Sequence, residues 1–404
     1  MAIQLLSFMG TIKSLGSVLL AILILLMMVT VHEFGHFVAG KILGFKINEF
    51  SVGFGPAIFK KRSKKTGELF ALRIIPLGGY CAFDGEDEFG EETEEKEEPF
   101  AEIQPDETQN DGGRVEMNEG STVTEADIYP EPQGERFNDQ APWKRIIVLL
   151  AGATMNYLLA LLLIIFMFAF FGRPMYKVTE LGVGDTAPII AVEDELQAGD
   201  VIMEIDGKTV YLITDYMDVF DGHKQGDRVE MKVLRGEEVK NVYVELKADA
   251  DIKNLSDTNT LLGAMGVRSM YAVTEKEGFF QTLGHSVVYS VKIGGTVLRS
   301  LGELLTGKLG IDSMGGPVTT IKVTSEAAST SVTSFLNIAA FIGVNLAVFN
   351  LLPIPALDGC KTIFCLIEWI RKKPVNRKVE TMIHLVGIIF LFGFAILVDL
   401  LQLF

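Results

Sequence analysis

The sequence predicts a polytopic α-helical membrane protein that also carries a β-rich domain. The chain has 404 residues, 49% of them hydrophobic, with a mean hydropathy of +0.32. Its apolar residues are concentrated in runs without Asp, Glu, Lys or Arg, and runs of about 17 to 25 residues can cross a ~30 Å hydrocarbon core as helices. Four runs qualify: 15–31, 146–171, 327–357 and 382–398. A region between the second and third alternates apolar and polar residues, which indicates strands.

The apolar runs divide the chain into successive parts. The first run could be a signal peptide, but it lacks a small-residue cleavage site, so we interpret it as an uncleaved span. We place the four spans within 1–45, 141–172, 327–367 and 381–404. Between them we place a β-hairpin region, an acidic loop, a β-rich domain, an amphipathic helical linker and a basic cytosolic loop, at 46–83, 84–140, 175–270, 271–326 and 368–380 respectively.

Clusters of basic residues predict the orientation of the spans. Lys and Arg cluster after the first span, before the second, and between the third and fourth. Such residues mark cytoplasmic flanks, and four crossings put all three clusters on one side. The hairpin region and the acidic loop are then cytosolic, and both termini and the β-rich domain are extracytoplasmic.

The segment 84–135 carries an extreme local charge. It contains 20 Asp plus Glu against Lys96 and Arg114, a local net charge of −18 within a chain whose net charge is −16. It also has few large apolar residues, so it cannot bury enough surface to fold by itself. We therefore expect a solvated, disordered loop, with a docking tail or a spacer as the alternatives.

The β-rich domain has a recognisable core pattern. Gly199 to Val210 indicates a turn, an alternating strand, a two-residue turn at Asp206-Gly207 and a second strand. The pattern resembles a PDZ domain, whose usual task is to add a peptide strand to a sheet edge. The residues Val192-Glu193-Asp194-Glu195 lengthen the approach to this core. The linker after the domain is amphipathic, and we expect its helices to pack on the outer membrane surface or on the domain.

The first span ends in an H-E-x-x-H pattern, His32-Glu33-Phe34-Gly35-His36. On a helix the two histidines lie on one face, where both can bind one zinc ion while Glu33 takes a proton from a metal-bound water. The pattern also arises by chance in long sequences. Ionisable groups at a membrane centre cost at least ~2.5 kcal/mol each, so their position here favours a zinc hydrolase.

Zinc needs a third protein ligand and an open position. The side chains considered are Asp358, Glu368, His384 and Asp399. Asp358 directly follows an apolar run within Asn350-Leu351-Leu352-Pro353-Ile354-Pro355-Ala356-Leu357-Asp358-Gly359, whose prolines break the helix. Such a break at membrane depth is tolerated where the backbone lines a wet cavity. The first and third spans both run inward, so Asp358 is favoured as the ligand, with a helix cap as its alternative role.

These features together resemble the site-2 protease family (M50-type), in particular its bacterial RseP-like intramembrane zinc metalloproteases with a single PDZ domain. The resemblance covers nearly the whole chain. It includes the segments Ser51-Val52-Gly53-Phe54-Gly55-Pro56, Arg73-Ile74-Ile75-Pro76-Leu77-Gly78-Gly79-Tyr80, Pro142-Trp143-Lys144-Arg145 and Ala151-Gly152-Ala153-Thr154-Met155-Asn156. The chain departs from the family at Cys360, where a second glycine is usual, and in its longer, more acidic loop.

The resemblance implies roles for particular residues. It implies that His32, His36 and Asp358 hold Zn²⁺ and that Glu33 activates the water. Asn350 and Pro353 would line the substrate channel. Residues 69–79 would form a membrane-associated β-hairpin against which an unwound substrate extends, since a transmembrane helix otherwise keeps its peptide bonds protected. The further candidate substrate-binding residues in this hairpin are Arg73, Ile74, Gly78 and Gly79.

The predicted function is therefore regulated intramembrane proteolysis at a bacterial cytoplasmic membrane. The enzyme would be a zinc metalloendopeptidase that cleaves single-span proteins in or near their transmembrane segment, and the resemblance suggests anti-sigma factors or remnant signal peptides as substrates. The PDZ-like domain would bind a peptide or protein and admit substrates shortened by another protease. The alternatives are a catalytically idle scaffold, and a metal-ion transporter that leaves Glu33 unexplained. No pattern indicates nucleic-acid binding.

Overall fold

The computed structural model describes residues 2–86, 129–182 and 195–403. Most of the predicted acidic loop, 87–128, and most of the approach to the PDZ-like core, 183–194, lie outside the described residues. The helices and strands are, in chain order, α1 (Ala2–Leu43), β1 (Ile47–Arg62), β2 (Leu69–Phe83), α2 (Pro142–Phe171), β3 (Arg173–Leu181), β4 (Val201–Ile205), β5 (Lys208–Thr209), α3 (Ile213–Phe220), β6 (Arg228–Arg235), β7 (Glu238–Glu245), α4 (Thr258–Met265), β8 (Val267–Glu275), α5 (Phe279–Leu305), α6 (Pro317–Thr330), α7 (Val332–Leu351), α8 (Asp358–Arg371) and α9 (Arg377–Leu403).

Within the described ranges, four helices are long and apolar enough to cross a membrane: α1, α2, α7 and α9. This confirms the membrane part of the predicted fold class. Small residues let the first three approach closely, as is usual between membrane helices. A Cβ on Gly343 of α7 would lie 2.9 Å from the Cβ of Ala160 on α2 and 3.3 Å from Sδ of Met28 on α1. Close to the H-E-x-x-H pattern, a Cβ on Gly35 would lie 2.5 Å from the carbonyl oxygen of Ala151.

The predicted third span, 327–367, is not one helix. Helix α6 ends at Thr330, and Ser331 caps α7 by accepting a hydrogen bond from Ser334 N–H at 3.0 Å. Helix α7 then ends at Leu351, before the two prolines, and α8 begins at Asp358. In the connecting loop Ala356 has a φ of +81°, which costs an L-residue of order 1–3 kcal/mol unless neighbouring groups hold it. Helices α8 and α9 also extend into the predicted basic loop and leave only 372–376 between them.

Strands β1 and β2 form a sheet of four short segments. Residues 49–52 of β1 pair with 79–82 on one side and 69–72 on the other, and 57–62 pair with 69–73. The segment 79–82 therefore lies at the edge of this sheet. The predicted β-hairpin is present, but its strands bend. As a result the segment 79–82 is the sheet edge next to α1, whereas 69–72 is paired on both sides.

The predicted β-rich domain contains a sheet with strand order β7-β6-β4-β3-β8, and β5 pairs with β4. Its core includes Ile202, Tyr216, Phe220, Met231 and Val233, all fully buried. These apolar residues come from alternating strand positions and from α3, as the sequence pattern predicts. The domain is joined to α5 by the ion pair of Lys292 with Asp215 and by the carboxylate of Glu303, which accepts a hydrogen bond from the N–H of Leu255 at 2.9 Å.

The two helices of the linker pack against the spans. On α5, the hydroxyl of Tyr289 donates to Asn337 of α7 at 2.7 Å, and Ser290 lies 2.9 Å from the hydroxyl of Tyr157 on α2. On α6, Ser325 is hydrogen-bonded to Ser17 of α1 at 2.8 Å. The linker is thus joined to α1, α2 and α7, a contact that its amphipathic sequence did not reveal.

Candidate metal centre

Three potential metal ligands converge where α1, α2 and α8 meet. The Nε2 atoms of His32 and His36 lie 3.1 Å apart, and Oδ2 of Asp358 lies 3.0 Å from the first and 3.3 Å from the second. Atoms bound at ~2.0–2.1 Å to one tetrahedral ion are separated by roughly 3.3 Å, so the arrangement suits zinc. Oδ2 of Asp358 is buried without a hydrogen-bond donor. A carboxylate oxygen left in this way fits a metal ligand better than a helix cap.

Helix α2 lies against both imidazoles. Nδ1 of His36 lies 2.8 Å from the carbonyl oxygen of Val148, and Nδ1 of His32 lies 3.4 Å from Nδ2 of Asn156. Between these residues, a Cβ on Gly152 would lie only 2.4 Å from Nε2 of His36 and 2.7 Å from Cε1 of His32. The lack of a side chain at 152 is therefore what makes room for the two rings.

Glu33, His32 and Asp358 face a cavity of about 270 Å³. Its wall combines the polar groups with apolar side chains, and its residues are Val29, His32, Glu33, Asn156, Leu346, Asn350, Ala356, Leu357 and Asp358. Nδ2 of Asn350 lies 3.5 Å from Nδ1 of His32. An acid/base group, a predicted ligand set and two amides thus share one concave site, which is the composition of a hydrolytic centre. Pro353 is exposed in the loop and is not among the lining residues.

The hairpin edge lies directly against this site. A Cβ on Gly79 would lie 3.4 Å from Cγ of Glu33 and 2.8 Å from the carbonyl oxygen of Ser51. Gly78 has a φ of +128°, and a Cβ there would lie 1.9 Å from the ring of Phe54. The two glycines therefore allow close packing inside the hairpin, against Ser51 and Phe54, while the edge segment lies beside Glu33 of α1.

Two other hairpin candidates face away from the cavity. The guanidinium of Arg73 donates to Ser51 at 2.8 Å, to the carbonyl of Gly55 at 2.8 Å, and to Glu49 and Tyr80 at 2.7 Å each. Its hydrogen bond with Glu49 raises the pKa of Arg73. Arg73 therefore joins the segments of the hairpin to one another. Ile74 is 60% exposed on the sheet surface.

The other side chains considered as the third ligand have different partners. Glu368 is buried in an ion-pair network with Arg145 of α2 and Arg377 of α9. Burial raises the pKa of Glu368, but hydrogen bonds from the N–H of Val375 and from Arg145 outweigh it and hold the pKa below its usual range. Asp399 accepts hydrogen bonds from the first N–H groups of α6, at Val318 (3.0 Å) and Thr319 (3.1 Å).

His384 of α9 holds the loop that delivers Asp358. Its Nδ1 accepts a hydrogen bond from the N–H of Ala356 at 3.0 Å. One turn farther along α9, a Cβ on Gly387 would lie 2.5 Å from Cβ of Pro355. These contacts stabilise the left-handed backbone at Ala356, two residues before the ligand.

Comparison with known proteins identifies the family of this chain. The model of the family described as "Peptidase family M50" matches residues 20–394, which includes the ligands, the hairpin and the β-rich domain. The chain belongs to peptidase family M50. The recognition made from the sequence is therefore confirmed.

The sequence similarity to known relatives extends over almost the whole of this M50 peptidase. It is 28% identical over 416 residues to the regulator of sigma-W protease RasP of Bacillus subtilis, covering 93% of this chain and 95% of the relative. It is also 28% identical to the zinc metalloprotease RasP of Bacillus licheniformis, covering 93% and 96%. Among solved structures, the PDZ domain of the SdrC-like protein of Listeria monocytogenes matches at 26% identity with a TM-score of 0.16, covering 23% of this chain and 85% of that one.

Sequence reasoning about this M50 peptidase missed some residues of the centre. Gly152 and Asn156 were noticed only as parts of a family segment, and no role was assigned to either. Their spacing of four was a usable signal, because residues i and i+4 share one helix face. The isolated position of His384 in the sequence favours a structural role over metal binding, but nothing local in the sequence indicates that it would hold Ala356.

Proposed function

We propose that this M50 peptidase is an intramembrane zinc endopeptidase whose ligands are His32, His36 and Asp358 and whose general base is Glu33. One observation carries the proposal. Ligand atoms from segments more than 300 residues apart in the sequence lie within 4.8 Å of one another; two belong to the apolar helix α1 and the third to Asp358, which begins α8. A ligand group assembled over such a distance in the chain has a function that local helix capping does not explain.

The site residues divide the chemistry between them. A bound zinc ion would lower the pKa of a water molecule and polarise the scissile carbonyl. Glu33 accepts the proton of the attacking water and returns it to the leaving amine. Asn350, in the wall of the cavity, donates from its amide to the carbonyl oxygen as negative charge develops there. The apolar side chains of Val29, Leu346 and Leu357 surround the scissile bond and limit bulk water.

The sheet edge at 79–82 explains how a helical substrate can be cleaved. A transmembrane helix must give up its internal hydrogen bonds before an amide is accessible. An edge segment offers replacement partners in the form of free backbone N–H and C=O groups. Since Gly79 contacts Glu33, a substrate strand paired with this edge would run past the catalytic group. Exposed apolar side chains at Phe54, Ile58 and Ile75 favour contact of the hairpin with lipid.

The orientation and the substrate class follow from several sequence features. The basic clusters favour a cytosolic hairpin and acidic loop, with the termini and the PDZ-like domain outside a bacterial cytoplasmic membrane. The name of the B. subtilis relative connects that protein with sigma-W regulation. We propose single-span anti-sigma factors and remnant signal peptides as substrate classes, with the PDZ-like domain binding an exposed peptide end of a shortened substrate.

The experiment that tests this function compares Glu33→Gln and Asp358→Ala with the wild type. The purified full chain in detergent is assayed for bound zinc and for cleavage of a single-span model substrate. Glu33→Gln is expected to keep zinc and to lose cleavage, because a general base does not ligate the metal. Asp358→Ala is expected to weaken zinc binding and cleavage together.

The same experiment separates the alternatives. An idle scaffold and a metal transporter would both show no cleavage by the wild type, and weaker zinc binding in Asp358→Ala would then favour the transporter. Equal loss of zinc in both variants would show that Glu33 has been given the wrong role. Retention of zinc by Asp358→Ala with its loss in His384→Ala would mean that His384 is the third ligand. Membership of a peptidase family and the presence of Glu33 favour the enzyme.

A further inference from the structure

Three residues on one face of α2 line up against the catalytic helix. Val148, Gly152 and Asn156 are spaced by four, and they contact His36, both histidines and His32 respectively. Val148 and Asn156 therefore lie beside the Nδ1 atoms of His36 and His32, respectively. Nε2 of each histidine points toward Asp358. Helix α2 thus provides the groups that could orient both rings.

For His36 the proton assignment follows from its partner. A backbone carbonyl can only accept, so the contact of 2.8 Å with Val148 requires a proton on Nδ1 of His36. A neutral imidazole with a proton on Nδ1 has a lone pair on Nε2, which is the atom directed at the candidate metal position. Val148 therefore orients the first ring for metal binding.

For His32 the same requirement selects one orientation of the Asn156 amide. If Nε2 of His32 is also to bind the metal, its Nδ1 carries the proton and needs an acceptor. A half-turn of the terminal amide of Asn156 exchanges Nδ2, now 3.4 Å from that Nδ1, with Oδ1. Oδ1 is buried without a hydrogen-bond partner, in a residue that is only 1% exposed. The half-turn gives Oδ1 a donor, and the side chain occupies the same space.

Asn350 also reaches Nδ1 of His32, at 3.5 Å. One N–H needs only one acceptor, so the two amides have different tasks. Asn156 is almost completely buried, whereas Asn350 is partly exposed on the cavity wall. The buried amide suits a fixed contact with the ring, and the accessible amide suits a contact with substrate.

We propose that Asn156 is a positioning residue that accepts a hydrogen bond from Nδ1–H of His32 through Oδ1, and so directs Nε2 of His32 to the zinc ion. The proposal rests on the proposed function, because it requires zinc bound by His32. Partners of this kind fix the tautomer and the orientation of a ligating ring, and their loss typically lowers metal affinity 10–100-fold. Asn156 itself does not touch the metal.

The test measures zinc affinity of the full chain in detergent by competition with a chromophoric chelator. Asn156→Leu removes the acceptor and keeps the approximate side-chain volume, and it is expected to weaken zinc binding ~10–100-fold. Asn156→Asp keeps an acceptor oxygen and is expected to bind zinc at least as tightly as the wild type. Asn350→Leu is the matched control for an amide beside His32, and it is expected to keep wild-type zinc affinity while cleavage of a model substrate slows.

The outcomes separate this inference from the proposed function. A wild type that binds no zinc overturns the proposed function. A wild type that binds zinc, together with Asn156→Leu of equal affinity, overturns the role of Asn156 alone. Loss of zinc in Asn156→Asp to the same degree as in Asn156→Leu shows that packing, not the acceptor, matters at this position. Thermal unfolding of the zinc-free variants identifies any variant with a general folding defect. If Asn156→Leu has such a defect, the zinc affinity of Asn156→Asp still tests the role of the acceptor oxygen.

Discussion

Replacing Gly152 by alanine should disrupt the metal site while leaving the helical bundle folded. The added Cβ would lie 2.4 Å from Nε2 of His36, whereas ordinary contacts begin at 3.4 Å. One or both imidazoles must therefore retreat by about 1 Å. Zinc–ligand distances tolerate deviations of only ~0.2 Å. A displacement of this size therefore separates the histidine ligands from Asp358.

The size of the effect follows from two opposing contributions. Inserting a methyl group into a close-packed site costs ~1–3 kcal/mol. If the histidine rings absorb that cost, zinc affinity falls by roughly 5–150-fold. Alanine in place of glycine within a helix stabilises the helix by ~1 kcal/mol, so the stability of the zinc-free protein should change little. The expected signature is weak zinc binding and slow cleavage with an almost unchanged melting temperature of the zinc-free form.

The assay compares Gly152→Ala with Gly393→Ala, a glycine in α9 whose added Cβ would have no atom within 4 Å. Zinc affinity, cleavage of a model substrate and thermal unfolding of the zinc-free protein are measured for both. The control should keep wild-type zinc affinity and activity. Wild-type zinc affinity and cleavage in Gly152→Ala would refute the contact between position 152 and the histidine rings as the reason for a glycine there.

Other predictions follow from the remaining contacts. Glu368→Ala leaves Arg145 buried without a partner carboxylate, so the free energy of unfolding should fall by ~3–5 kcal/mol while zinc binding stays normal. A large loss of zinc affinity would contradict this structural role of Glu368. Single cysteines at Lys64 and Lys208 should react with an impermeant thiol reagent from the cytosol and from outside, respectively, in a cysteine-free background; reaction of both from one side would exclude the proposed orientation. Shortening 87–128 to a few residues should preserve zinc binding and unfolding temperature, because the acidic composition of this segment predicts a solvated loop, whose length changes the closure entropy only slightly. A metal-free product would show that the segment is structural.

The chain alone determined the membrane class of this protein and much of its chemistry. In lipid, the backbone N–H and C=O groups of a long uncharged run are satisfied when the run forms a helix. Four spans therefore follow from composition and length. The H-E-x-x-H spacing brings His32 and His36 to one face through helix geometry, without any tertiary contact. Alternation around Asp206-Gly207 likewise indicated strands, because strand faces repeat every second residue. These features are local, and local periodicity is what a single sequence displays.

Tertiary structure decided how the site is closed and held. Asp358 became the favoured ligand from its proline-rich surroundings, but Glu368, His384 and Asp399 received their separate roles only when their partners on other helices were known. The contacts of Gly152 with the histidine rings, and of Gly79 with Glu33, join segments that are far apart in the chain. Such contacts depend on how helices and a hairpin pack in three dimensions, and a glycine or an amide carries no local mark of the side chain it will meet.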